Sequence, residues 1–264
     1  MSHKSTARMR SVKCFLLVAT IVLYAVIATR QNLNELSLTS ALAQSSQAQG
    51  NGAQTTERFD MFVREDFFAG MMGDEARLNR GMKFCEQILA TNPRHAEALV
   101  WHGGGLLARA SRAYARGDAA LGDRLWKQGL EEMNDAVTFE PDNMGVKIGR
   151  SATLIGLAQS GWDSSDAQSR ALLESALTDY EKVYRWQKPF FSELGIHSRG
   201  ELLFGLASGW SILGERQKAL GYLRLIVEEC RGTDYESEAR RWLALRPLPV
   251  VQHDCRGCHV RSSY

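Results

Sequence analysis

From Arg58 to Leu245 apolar residues recur at spacings of three and four, and they almost never alternate with polar ones. That pattern predicts amphipathic helices throughout and no β-sheet. Three helix ends share one form: Ile88-Leu89-Ala90-Thr91-Asn92-Pro93, Ala136-Val137-Thr138-Phe139-Glu140-Pro141 and Val183-Tyr184-Arg185-Trp186-Gln187-Lys188-Pro189. Proline has no N–H with which to continue a helix, and it disfavours helical geometry in the residue before it, so each marks a boundary. The three prolines, at 93, 141 and 189, are separated by 48 residues each time. Between and beyond them fall Gly73-Asp74, Gly117-Asp118, Asp163-Ser164-Ser165 and Gly214-Glu215, each offering a C-capping glycine or an N-capping side chain. Four antiparallel helix pairs are therefore predicted: 58–72 with 74–91, 95–116 with 118–139, 143–161 with 164–187, and 197–214 with 215–231. A capping helix over 234–245 closes the series.

The junctions Asn92-Pro93-Arg94-His95-Ala96-Glu97-Ala98-Leu99 and Glu140-Pro141-Asp142-Asn143 resemble those between tetratricopeptide repeats. So does the unit from Arg199 to Leu220, with its small-residue spacing and its turn Gly214-Glu215-Arg216-Gln217-Lys218-Ala219. The resemblance covers residues 58–245. It implies an all-α fold, a superhelical stack of antiparallel helix pairs, which binds protein partners through a concave groove. The departure is length, because the family repeat is about 34 residues. Fourteen more make about four helical turns, so two extra turns on each helix would keep the same faces inward. The expected architecture is thus a tetratricopeptide-like solenoid with elongated helices. The run Gly103-Gly104-Gly105 is unfavourable inside a helix, by about 1 kcal/mol per glycine relative to alanine. Close helix packing is the expected reason, and a kink lining a groove is the alternative.

The ends of the chain differ from its middle. Residues 1–43 carry a basic stretch from Lys4 to Lys13, then the uncharged apolar run Cys14 to Ala28. That order is the order of a secretory signal or an N-terminal anchor. The apolar run is short for a spanning helix, which needs roughly 20 residues. Ala41-Leu42-Ala43 and Val26-Ile27-Ala28 are both candidate cleavage sites, and uncleaved anchoring stays open. Residues 44–57, rich in Gln, Ser, Gly and Ala, read as a flexible linker. After Leu245, residues 246–264 open with Arg246-Pro247-Leu248-Pro249, which reads as an extended tail. The body is expected outside the cytoplasm, in the periplasm or cell envelope, with membrane contact only through an uncleaved leader.

The tail carries the sharpest chemistry, Cys255-Arg256-Gly257-Cys258-His259, the pattern of c-type haem attachment. Two thiols separated by two residues reach the two vinyl groups on one porphyrin edge. The adjacent histidine then swings its imidazole under the iron as proximal ligand. From the 5 Cys and 6 His of the chain, a chance match is on the order of 1 in 500. One covalent haem c per chain is the expected cofactor, bound by Cys255, Cys258 and His259. Five residues follow His259 in the sequence, so a complete cytochrome c domain, with its helical wrap and distal methionine, is not expected. A second iron ligand is sought upstream: His253 first, although its short loop makes the porphyrin plane hard to cross, then His197, His102 and His95. For the last three an ordinary surface or capping role is the plainer expectation. Met71 and Met72 are read as core or turn residues. A Cys255–Cys258 disulfide and a zinc site of His253, Cys255, Cys258 and His259 are the alternatives.

Composition narrows the rest. Residues 1–43 hold five basic residues and one acid, so of the 32 basic and 30 acidic residues of the chain 27 and 29 remain beyond them. A near-neutral body with no basic run gives no footprint for nucleic acid. The sequence holds no P-loop, no His-Glu-x-x-His and no Gly-x-Ser-x-Gly, so an enzyme is not expected. Glu131-Glu132 and Glu228-Glu229 read as solvated helix faces. Cys85 and Cys230 lie on apolar stripes as buried free thiols. Trp101, Trp162, Trp186, Trp210 and Trp242 read as core, some of them available to a groove. Two functions follow. One is an exported interaction protein whose tail haem transfers electrons; the other is a haem-free envelope scaffold for a protein partner.

Overall fold

The turn signals act where the pattern places them. The computed structural model describes residues 58–159, 166–245 and 247–248. Gly73, Gly117 and Gly214 all adopt positive φ, the left-handed conformation that ends a helix without strain on a side chain. Asp74 then accepts a hydrogen bond from the Arg77 N–H at 3.0 Å, and Asp118 accepts one from the Leu121 N–H at 3.1 Å. Each aspartate thereby satisfies one of the free amides that open the next helix.

Helices follow in the predicted order: α1 (Asp60–Met71), α2 (Glu75–Thr91), α3 (Ala96–Ala115), α4 (Ala119–Phe139), α5 (Met144–Gln159), α6 (Ala167–Gln187), α7 (Ile196–Ile212), α8 (Arg216–Glu229) and α9 (Asp234–Ala244). Observed and predicted ends agree to within about three residues, the margin at which helix ends are defined. A short 3-10 turn, Lys188–Glu193, contains Pro189 and leads into α7. No strand occurs among the described residues. The turn predicted at Asp163-Ser164-Ser165, and Trp162 beside it, lie outside the described residues, and α6 is capped by Asp166.

Neighbours in sequence pack as pairs, α1 with α2, α3 with α4, α5 with α6 and α7 with α8, and α9 rests on α8. Across pairs, the first helices touch in succession, α1 with α3, α3 with α5 and α5 with α7. The second helices α2, α4 and α6 each touch the first helix of the following pair. The elongation is uneven. Helices α3 and α4 have 20 and 21 residues and α5 and α6 have 16 and 21, whereas α7 and α8 have 17 and 14.

Gly103 sits where the backbones of α3 and α4 meet. A Cβ placed there would lie 2.7 Å from the Gly129 carbonyl oxygen, and one on Gly129 would lie 2.8 Å from the Gly103 oxygen. On the opposite side of α3, a Cβ on Gly105 would lie 2.9 Å from the Phe67 ring. The glycine run therefore lets α3 approach α4 on one face and α1 on the other. One buried cluster then runs from Ala96 to Leu248 through α3 to α9. None of the described helices is long and apolar enough to cross a membrane.

Candidate haem centre and its surroundings

Cys255, Cys258, His259 and His253 lie outside the described residues, and so do the leader and linker over 1–57. What the structure describes is the point from which the tail departs. Helix α9 stops because Leu245 turns to extended backbone, φ −83° and ψ 147°. Leu245 is 43% exposed, but Leu248 is 8% exposed and joins the cluster that holds Phe204, Cys230, Tyr235 and Trp242. Burying a leucine side chain is worth about 1.5–3 kcal/mol, so Leu248 pins the start of the tail to the last helices. Cys255 follows Leu248 by seven residues in the sequence.

The upstream histidines occupy three different environments. His95 caps α3: its Nδ1 accepts a hydrogen bond from the Ala98 N–H at 3.2 Å, and its ring lies 5.0 Å from that of Phe59. Burial holds its pKa below the ordinary histidine value, against the pull of Glu140. This is the expected capping role. His102 differs from the expectation of a surface histidine, because its side chain is 9% exposed. Its Nδ1 is 2.6 Å from Glu132 on α4, and its Nε2 is 3.6 Å from Glu86 on α2. The close approach of α3 to α4 carries His102 into that seam. Glu132 therefore does not belong to a solvated face; it accepts from Gln128 as well as meeting His102.

His197 is the third, on the first turn of α7, with half its side chain exposed. Its Nδ1 lies 3.0 Å from the Tyr235 hydroxyl oxygen on α9. That hydroxyl donates to Glu201 Oε1 at 2.7 Å. A carboxylate only accepts, so the Tyr235 proton is committed to Glu201 and the His197 Nδ1–H is the donor to Tyr235. Tyr235 is held in place by Gly200, where no side chain intervenes, and by Phe204, which also packs edge-on to Trp242 at 5.8 Å.

One buried polar cluster was not anticipated from the sequence. Lys147 and Arg150, on α5, are 4% and 5% exposed and share Asp179 of α6, at 2.6 and 3.1 Å. Arg150 also donates to Asn134 Oδ1 and to Ser175 Oγ. The signal was present as two cations, three residues apart, in a helix whose other residues are uncharged. The cluster joins α4, α5 and α6 and has the character of a structural clamp.

Cys85 and Cys230 are buried free thiols, as the apolar spacing suggested. Burial, with Glu132 and Glu86 adding to it, pushes the Cys85 thiol well above the ordinary thiol range. Trp210 and Trp242 are core, Trp101 is half-buried against Phe67 and Phe68, and Trp186 is exposed beside Phe190. Met71 and Met72 lie exposed at the end of α1. Among the described residues no group of three or more His, Cys, Asp or Glu is placed to hold a metal ion. No family model matches the chain, and no curated protein or solved structure matches it.

Proposed function

We propose that this chain is an exported redox interaction protein, in which a tetratricopeptide-like helical domain holds a protein partner and the tail carries one covalently bound haem c. The observation that carries the reading is the contiguous run Cys255-Arg256-Gly257-Cys258-His259. Its donor set suits the group: two thiols at the spacing of the porphyrin vinyls and an imidazole next to the second thiol. Cys255 and Cys258 would hold the group through thioether links, and His259 would be its protein ligand. Once bound, the iron supplies one-electron chemistry between its ferric and ferrous states.

The remaining work belongs to the chain. Leu248 ties the tail to the last helices, and the seven residues to Cys255 give a tether of about 22 Å. Such a tether keeps the redox group beside the helical domain while letting it approach a bound partner, another exported redox protein that gives or takes the electron. The pattern of helix contacts supports the repeat reading. First helices that touch in succession are what a stack of helix pairs requires.

The test is intact mass together with a pyridine haemochrome spectrum, on protein exported from cells that attach haem, beside a Cys258→Ala control. A gain of one haem mass that falls away in the control is the expected result. An unmodified mass without haem absorbance overturns the redox reading. It leaves an exported protein-binding scaffold whose Cys255 and Cys258 form a disulfide or bind zinc with His253 and His259.

A further inference from the structure

We propose that the turn after α6 is a contact for the surface of an anionic lipid bilayer, in which Trp186 and Phe190 enter the headgroup region and Arg185 and Lys188 meet the lipid charge. The contact is independent of the haem motif, and it adds to the leader, through which alone the sequence led membrane contact to be expected. Comparison of the repeats shows that this turn is different. Residues 92–95 join α2 to α3 and residues 140–143 join α4 to α5, four in each case, whereas residues 188–195, twice as many, join α6 to α7. The position three residues before the junction proline is exposed in all three repeats, as Ala90, Thr138 and Trp186. Only the third is aromatic, so the packing of the stack does not call for a tryptophan there. Insertions in one repeat of an array go to loops on one face, often the face that binds.

The added residues leave apolar surface open instead of covering it. Phe190 departs from helical backbone, with φ −125° and ψ 20°, and the two phenylalanines part there. Phe191 is 4% exposed and packs edge-on to Tyr184 at 5.3 Å, while Phe190 packs edge-on to Trp186 at 5.3 Å. Trp186 is 52% exposed, more than any other large apolar side chain among the described residues. A tryptophan with an apolar ring and a wet N–H favours the boundary between lipid chains and headgroups. Charge then selects the kind of surface. Arg185 and Lys188, both exposed, flank Trp186. Glu181 lies 3.8 Å from Arg185 but also accepts from the Tyr222 hydroxyl, and Glu193 stands at the far end of the turn. The two cations can lay their stems along the aromatic pair and reach lipid phosphates with their charged ends. The pair stands on a turn at a helix end, not between helices, so it can meet a flat surface. No spanning helix is needed for such a contact, and two aromatic rings with two cations give weak, reversible binding.

The experiment mixes full-length exported protein with vesicles of phosphatidylcholine, with or without phosphatidylglycerol as the minor lipid, whose brominated acyl chains quench tryptophan at the chain–headgroup boundary. Quenching reports where Trp186 lies whether or not an uncleaved leader also holds the protein to the vesicle. Trp186 is one of 6 tryptophans, so its entry should remove about one sixth of the emission if all emit alike. The expected result is quenching by vesicles that contain phosphatidylglycerol, and its loss in Trp186→Phe. The double variant Arg185→Gln, Lys188→Gln should need more lipid for the same quenching, by about fivefold per cation removed at low salt. High salt should act in the same direction in the wild type. All three side chains are exposed, and unchanged urea midpoints by circular dichroism verify that the variants keep the fold. Equal quenching in Trp186→Phe places the contact elsewhere in the chain, and equal quenching without phosphatidylglycerol removes the part given to the cations. Either result, or no quenching at all, overturns the proposal.

Discussion

A methyl group added at Gly103 tests the packing on which the rest of the domain is built. Replacing glycine by alanine inside a helix is worth about 1 kcal/mol in favour of alanine. At Gly103 the new Cβ would lie 2.7 Å from the Gly129 carbonyl oxygen and 3.0 Å from Met133 Cγ. The first neighbour is backbone, so α3 and α4 must separate rather than a side chain rotate away. Overpacking of this kind costs about 2–3 kcal/mol at the upper part of its usual range. Gly103→Ala should therefore destabilise by about 1–2 kcal/mol once the propensity gain is subtracted. Gly221, within α8, is the control, because nothing lies within 4 Å of a Cβ built there. Gly221→Ala should stabilise by about 1 kcal/mol. Urea unfolding followed by helical circular dichroism compares the two variants, with midpoints moving in opposite directions. If Gly103→Ala stabilises as much as Gly221→Ala, then α3 and α4 are not in backbone contact at this crossing and the account of the glycine run is wrong.

Two further outcomes follow from the charged groups. Asp179→Ala leaves Lys147 and Arg150 buried without their shared carboxylate, and it should cost about 3–5 kcal/mol in the same unfolding assay, whereas Asp142→Ala, on an exposed pair with Lys182, should change little. Asp66 is held below the usual carboxylate range: burial opposes this, but the hydrogen bonds and charges of Arg80 and Arg77 outweigh it. A depressed carboxylate stabilises the fold fully above its unfolded pKa, near 3.9, and loses that contribution as pH falls through its folded value. The gap in melting temperature between the wild type and Asp66→Asn should therefore be full above about pH 4 and close progressively as pH falls below it. A constant gap across that range would contradict the ion-pair account.

Among the described residues, helix number, order and ends were legible in the chain because they follow from local rules. Pro93 and Pro141 stop helices through backbone sterics, Gly73, Gly117 and Gly214 supply positive φ, and Asp74 and Asp118 cap the amides that follow, all within a few residues of one another. The Cys255-x-x-Cys258-His259 run was visible for the same reason, since its two thiols and its imidazole are contiguous. Tertiary structure alone decided what depends on residues far apart in sequence. It placed Gly103 against Gly129, buried His102 between Glu132 and Glu86, and removed Glu132 from the solvated face its neighbours suggest. It also set Lys147 and Arg150 against Asp179, placed His197 beside the Tyr235 hydroxyl, and pinned Leu248 while leaving Leu245 exposed. Periodicity states which face of a helix is apolar; which helix meets that face, and so whether a given histidine is sealed in or half-exposed, is decided by how closely the backbones pack.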